Sequence, residues 1–155
     1  RVLFRSTVPT NLRLAVALCT AGIAPVNVKT LTQVLKFDSH EARTCSFAAS
    51  AFSVLNADRS AYAVRRTLSL FGRDATMAAA RALDDLAVAT AVQHEPLITV
   101  RSLPFNGDDI MRELGLSGAA VGTAMRAGLA AAIVDPGLLE DRHGLLELVS
   151  KHSAA

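Results

Sequence analysis

Ser60–Gly72, SAYAVRRTLSLFG, decides how the whole chain is read. Val64, Leu68 and Phe71 recur at helical spacing and so fall on one face of a helix. Gly72 follows where a left-handed residue ends such a helix. Arg65 and Arg66 lie off the apolar stripe.

The same texture continues in both directions. Upstream, Pro9-Thr10-Asn11 reads as a helix start with Thr10 as candidate N-cap, and LRLAVALCT stops near Gly22. Pro25-Val26-Asn27 restarts the chain into VKTLTQVLK, a helix of about two turns. Ser39 is the candidate cap of HEARTCSFAASAFSVL, with Glu41 close to the capping-box position, and Asn56-Ala57-Asp58 closes that helix. Downstream, Asp74 opens an Ala-rich helix expected to run to Gln93. Asp84-Asp85 would then lie on its solvated face. Pro96 breaks the pattern, and LITVRSLPF is expected to cross in an extended conformation. Asn106-Gly107-Asp108-Asp109 starts IMREL, ended by Gly115. Ser117 starts GAAVGTAMRAGLAAAIV, ended by Asp135-Pro136-Gly137, and LEDRHGLLELVSKH closes the chain. No repeat of fixed period occurs, and no β pattern beyond residues 97–101. The expected class is all-α, a multi-helix array in two consecutive small helical subdomains, 7–96 and 97–155, meeting near Pro96 to Pro104.

Composition agrees with packed helices. Of 155 residues, 51% are hydrophobic and 19% charged, enough for a core and unlike a disordered chain. Aromatics are 5% with no Trp, so the core is expected to be Ala, Leu and Val. Residues 1–6, RVLFRS, coincide with the translated end of a short-read sequencing adapter. They are expected to be non-native, leaving an open-ended fragment. The formal charge is +2, and without Arg1 and Arg5 it is zero. Bulk charge therefore does not announce a nucleic-acid binder. Of the 16 basic residues 13 are Arg, whose planar fork suits phosphate but which is also the basic residue of GC-rich genomes. Cys19 and Cys45 stand far apart without a CxxC pattern and read as buried free thiols of a cytoplasmic protein. No apolar run has the length of a membrane span, so no membrane partner is expected.

Individual residues point to no catalytic chemistry. His40, His94, His143 and His152 lack the i, i+4 pairing of a helical zinc site. Asp108 and Asp109 are consecutive on a helix and point apart. In a first turn they complement the helix dipole rather than hold a metal. Gly118 and Gly122 sit one turn apart in the expected helix, with Gly128 beyond, each at a cost of about 1 kcal/mol relative to Ala. Such glycines mark a close approach, by a neighbouring helix or by a nucleic-acid backbone, and a helix start also offers N–H groups to phosphate. No nucleophile–base set, P-loop or dinucleotide fingerprint is present.

From LITVRSLPF to LLELV, the succession Leu103, Gly107, Asp109-Ile110-Met111, Gly115-Leu116, Gly118, Val121-Gly122, Arg142 and Leu146 resembles the C-terminal part of the CCA-adding tRNA nucleotidyltransferase/poly(A) polymerase family. LKFDSHEARTCSFAASAF and YAVRRTLSLFG resemble more loosely the helices that precede it in bacterial members, so the likeness spans most of residues 11–150. The family's His-Asp phosphohydrolase motif would fall at Leu18–Ile23, where Cys19 and Thr20 stand instead. No phosphohydrolase activity and no metal site are expected. The resemblance implies the body and tail that hold the acceptor and TΨC arms of tRNA. The catalytic head, with its Mg, CTP and ATP, would lie N-terminal to this segment, which is expected to be inactive alone and to need no cofactor of its own. Duplex RNA is recognised by shape and phosphate, so the candidate contacts are Arg65, Arg66, Arg101, Arg112 and Arg126, with Gly118 and Gly122 at a helix start. Each arginine has a competing carboxylate such as Asp74, Asp85 or Glu113. The alternative is a degenerate His-Asp-fold module that binds protein and not RNA.

Overall fold

The computed structural model describes residues 10–153, which form an all-α array. Eight α-helices are present among them: α1 (Thr10–Thr20), α2 (Pro25–Val34), α3 (Ser39–Ala57), α4 (Ala61–Ala82), α5 (Leu86–His94), α6 (Gly107–Leu114), α7 (Ala119–Val134) and α8 (Arg142–Ser153). Two 3-10 turns, Val100–Ser102 and Pro136–Leu139, complete the array, and no strand occurs among the described residues. The chain divides into two compact units, one ending at Leu97 and one beginning at Ile98. Residues 1–6, read as non-native, lie outside what the structure describes, and Thr10, read as a cap, is instead the first residue of α1.

The first unit is built around α3 and α4. Buried alanines line both: Ala48, Ala49 and Ala51 on α3, and Ala63, Ala75, Ala78, Ala79 and Ala80 on α4. Ala is the best helix former and the smallest side chain that keeps a helix regular, so the two backbones can approach closely along this seam. One cluster joins it to α1 and α2 through Leu12, Val16 and Val28. A second joins it to α5 through Leu55, Leu68, Val88 and Val92. Phe71 packs on both clusters, its ring 5.6 Å from that of Phe47.

Local signals place the helix ends, with some displacements. Asp38, not Ser39, caps α3, accepting the Glu41 N–H at 2.8 Å while the Glu41 carboxylate returns to the Asp38 N–H at 3.2 Å. Gly72 has the positive φ expected of it, 79°, but with ψ 169° it kinks α4 rather than ending it. The Ala-rich helix does not run from Asp74 to Gln93. It stops at Ala82 with Leu83 as C-cap, Asp84 takes φ 52°, and Asp85 caps α5 by accepting the N–H groups of Ala87 and Val88. Asp84-Asp85 is thus a helix junction and not a solvated helix face. Asp85 gains more in the capping position than in a helix interior, because Asp competes with the backbone there.

The second unit packs α6, α7 and α8 around Ile98, Leu103, Phe105, Ile110, Ile133, Leu145 and Val149. Asn106 caps α6 reciprocally with Asp109, and Gly115 ends it in the left-handed conformation. The segment 97–105 is not extended throughout: Val100–Ser102 makes a 3-10 turn, with the hydroxyls of Thr99 and Ser102 3.4 Å apart. Gly128 is the glycine of α7 that permits close approach. A Cβ there would lie 3.0 Å from Cζ of Phe105 and 3.3 Å from Cγ2 of Val149.

Candidate nucleic-acid interface

The arginines expected to face phosphate differ in what already holds them. Arg65, on α4, is largely buried. Its side chain is 13% exposed and its guanidinium lies 3.3 Å from the Glu95 carboxylate just after α5. Arg66, one residue on, is exposed, and no ion pair engages it among the described residues. A second arginine of α4 escaped the sequence reading. Arg73, just past the Gly72 kink, donates to the carbonyls of Val92, Gln93 and Glu95 at the end of α5, the last at 2.9 Å. A guanidinium there satisfies carbonyls that the helix itself leaves without donors. The signal available was an Arg directly after a Gly in a helical pattern.

In the second unit, Arg112 and Arg142 share an acidic pair. Arg112 donates to the Asp109 carboxylate and reaches Glu113 at 3.4 Å. Arg142, the first residue of α8, forms a fork on Glu113, one arm at 3.1 Å, and donates from Nε to the Pro104 carbonyl at 3.2 Å. It thereby ties α8 to α6 and to the loop before it. The Asp109 carboxyl is held below the usual carboxylate range, first by the Asn106 N–H and then by Arg112. Glu113 is lowered chiefly by its hydrogen bond from Arg142. Arg112 is therefore exposed but matched by two carboxylates. The expected competitor Glu113 does engage it, whereas Asp85 pairs with Arg59 at 2.7 Å instead.

Arg101 and Arg126 are the exposed arginines of this unit that no carboxylate matches among the described residues. Arg101 stands on the 3-10 turn. Arg126 folds back along α7 and donates to the Thr123 hydroxyl at 3.0 Å. Gly118 is not inside a helix. It is the N-cap of α7, at φ 58° and ψ −130°, without a side chain to satisfy the first N–H groups. Gly122 is interior, and a Cβ on it would meet only Nη1 of Arg126, at 3.6 Å. Neither glycine packs against a neighbouring helix, in contrast to Gly128.

No family model, curated protein or solved structure matches this chain. Leu18–Ile23, where the resemblance would put a metal-binding His-Asp pair, is the end of α1. There the Thr20 hydroxyl donates back to the Val16 and Ala17 carbonyls, at 3.1 and 2.9 Å. Burial raises the Cys19 thiol, and burial followed by the Glu41 charge pushes Cys45 up to about 11. Neither is a thiolate at neutral pH. Among the described residues no three His, Cys, Asp or Glu side chains converge on a point that could hold a metal ion. No single helix among them is long and apolar enough to cross a membrane.

Beside Arg101 an open groove of about 540 Å³ runs between residues 100–109 and α7. Leu103, Phe105 and Met125 form its apolar wall, and Asn106 and Asp109 its polar end. Sequence reading missed it, because its wall comes from a loop read as a plain connector and from one residue of α7.

Proposed function

We propose that this chain holds an RNA duplex of the tRNA acceptor and TΨC arms through phosphate contacts, as the body and tail of a CCA-adding or poly(A) polymerase family protein whose catalytic head would lie N-terminal to it. The observation that carries the reading is the division among its arginines. Arg59, Arg65, Arg112 and Arg142 face carboxylates, while Arg66, Arg101 and Arg126 are exposed with none among the described residues. Exposed guanidinium groups without an acid partner are what a phosphate backbone recruits. The bare N-terminus of α7 beside Arg126 adds N–H groups of the same sign. The succession from the capped α6 through Gly115 and Gly118 to α7 and Arg142 follows the order of the family likeness.

The test is binding of the purified chain to tRNA lacking its CCA end at two salt concentrations. Affinity should fall steeply with salt, and Arg66→Ala, Arg101→Ala or Arg126→Ala should each lower the log–log salt slope by about 1. Arg65→Ala should instead lower stability and leave the slope alone. Salt-insensitive binding, or none by a folded protein at low salt, would sink the reading. The alternative, a protein-interaction module of degenerate His-Asp fold, is favoured by α2 and its C-cap, where Val26, Val34 and Leu35 are 75%, 72% and 53% exposed. It requires association that is insensitive to salt and is abolished by Val34→Asp.

A further inference from the structure

The groove beside Arg101 is chemically divided in a way that duplex holding does not use. Its wall is apolar: Leu103 and Phe105 are core residues, 7% and 4% exposed, whose outer edges line the groove, Met125 of α7 lines it too, and Val100 is 44% exposed. Its polar end is pre-arranged. The Asn106 side-chain oxygen accepts the Asp109 N–H at 3.0 Å, which fixes the amide and leaves its NH2 as a donor. Asp109 in the same wall does not repel an anion, because one oxygen accepts the Asn106 N–H at 3.0 Å and the other faces Arg112, with Arg142 3.8 Å away. The cation left at the rim is Arg101. The groove therefore offers an apolar wall, a fixed amide donor and an unmatched guanidinium, within a volume typical of small-ligand sites. It is also open to solvent, so that a chain can enter and leave.

We infer that this groove seats one unpaired ribonucleotide of an RNA strand, its base on the Leu103–Phe105–Met125 wall, a base carbonyl on the Asn106 amide and its phosphate on Arg101. The inference rests on the RNA-holding reading above and adds a single-stranded subsite to it. Unpaired bases are the part of an RNA that protein side chains read, by apolar or stacking contact together with hydrogen bonds to the base edge. A free organic anion would satisfy Arg101 but would not need the amide. A duplex backbone would satisfy Arg101 but leave the wall empty.

The experiment titrates the whole chain with three probes: tRNA lacking its CCA end, short single-stranded oligouridylate, and free UMP. Methyl NMR signals of Met125 and Val100 report on the groove. The oligonucleotide should shift both methyls. Arg101→Ala should weaken its binding about tenfold, as expected for a lost charged hydrogen bond. Asn106→Ser, which keeps an N-cap and removes the amide donor, should weaken it several-fold with α6 intact by circular dichroism. Salt-sensitive tRNA binding with unmoved groove methyls under oligouridylate overturns the subsite and leaves the duplex reading standing. Equal affinity for UMP and the oligonucleotide overturns the assignment to an RNA strand. Failure of tRNA and oligonucleotide alike overturns both.

Discussion

Gly122 and Gly128 lie on the same helix and should respond to the same substitution with opposite signs. Replacing either by Ala gains about 1 kcal/mol of helix propensity, because Ala restricts the unfolded chain more than Gly does. At Gly122 the new methyl meets only the Arg126 guanidinium at 3.6 Å, an ordinary contact, so Gly122→Ala should stabilise the second unit by up to about 1 kcal/mol. At Gly128 it would stand 3.0 Å from the Phe105 ring and 3.3 Å from Val149, which are 4% and 0% exposed, so core side chains would have to shift to admit it. Overpacking of that kind costs about 1–3 kcal/mol, so Gly128→Ala should be neutral to destabilising by about 2 kcal/mol. The propensity gain cancels between the variants, so their difference isolates the overpacking. The assay is urea denaturation read through the Leu145 and Val149 resonances, which report on this unit alone. Equal shifts of the same sign would refute the close approach at Gly128. The pair also separates fold from function: Gly122→Ala that stabilises the chain yet weakens tRNA binding would place an RNA backbone against Gly122.

Three further outcomes follow from side-chain surroundings. Glu113 and Asp109 are held below their ordinary range, so the stability they add is present above pH about 4 and lost as pH falls through their lowered values. The urea midpoint of the second unit should drop on acidification, and in Glu113→Gln that acid limb should be shallower and the neutral midpoint lower. Arg73→Met removes the donor from three carbonyls at the end of α5. It should cost about 1–3 kcal/mol and speed amide exchange in α5 but not in α8. Cys45, buried and with its thiol raised to about 11, should resist a thiol reagent at pH 8 until unfolding, while the half-buried Cys19 reacts sooner. Equal native rates for the two thiols would contradict this burial pattern.

What the sequence disclosed depended on how local its physics was. The helix start at Asn106–Asp109, the helix end at Gly115 and Pro25 at a helix start are decided within a few residues, and the sequence shows them directly. The Asp38 cap was misplaced by one residue, because Asp38 and Ser39 are both good caps and only the position of Glu41 selects between them. The junction at 83–85 was hidden because Ala-rich sequence continues on both sides, and the break appears only when α5 folds back on α4. Gly118 looked like a helix residue because Gly122 repeats it one turn on, but its positive φ puts it outside. The all-α class needed only periodicity. The site needed pairings such as Arg65 with Glu95 and Arg142 with Glu113, which lie 30 and 29 residues apart in the chain and leave no trace in spacing.

The alanine seam between α3 and α4 has a consequence for how this chain can vary. Alanine carries no rotamers, so closing the seam freezes no side-chain motion, and its stability comes from contact alone. Almost any single nucleotide change that replaces a seam alanine by Val, Thr, Pro, Glu or Asp adds atoms at a position that is already buried. Only Gly and Ser are not appreciably larger, and Gly gives up helix propensity. Drift at these positions is therefore confined to a very narrow alphabet, while surface positions such as Arg66 and Arg101 are free to follow whatever the molecule binds.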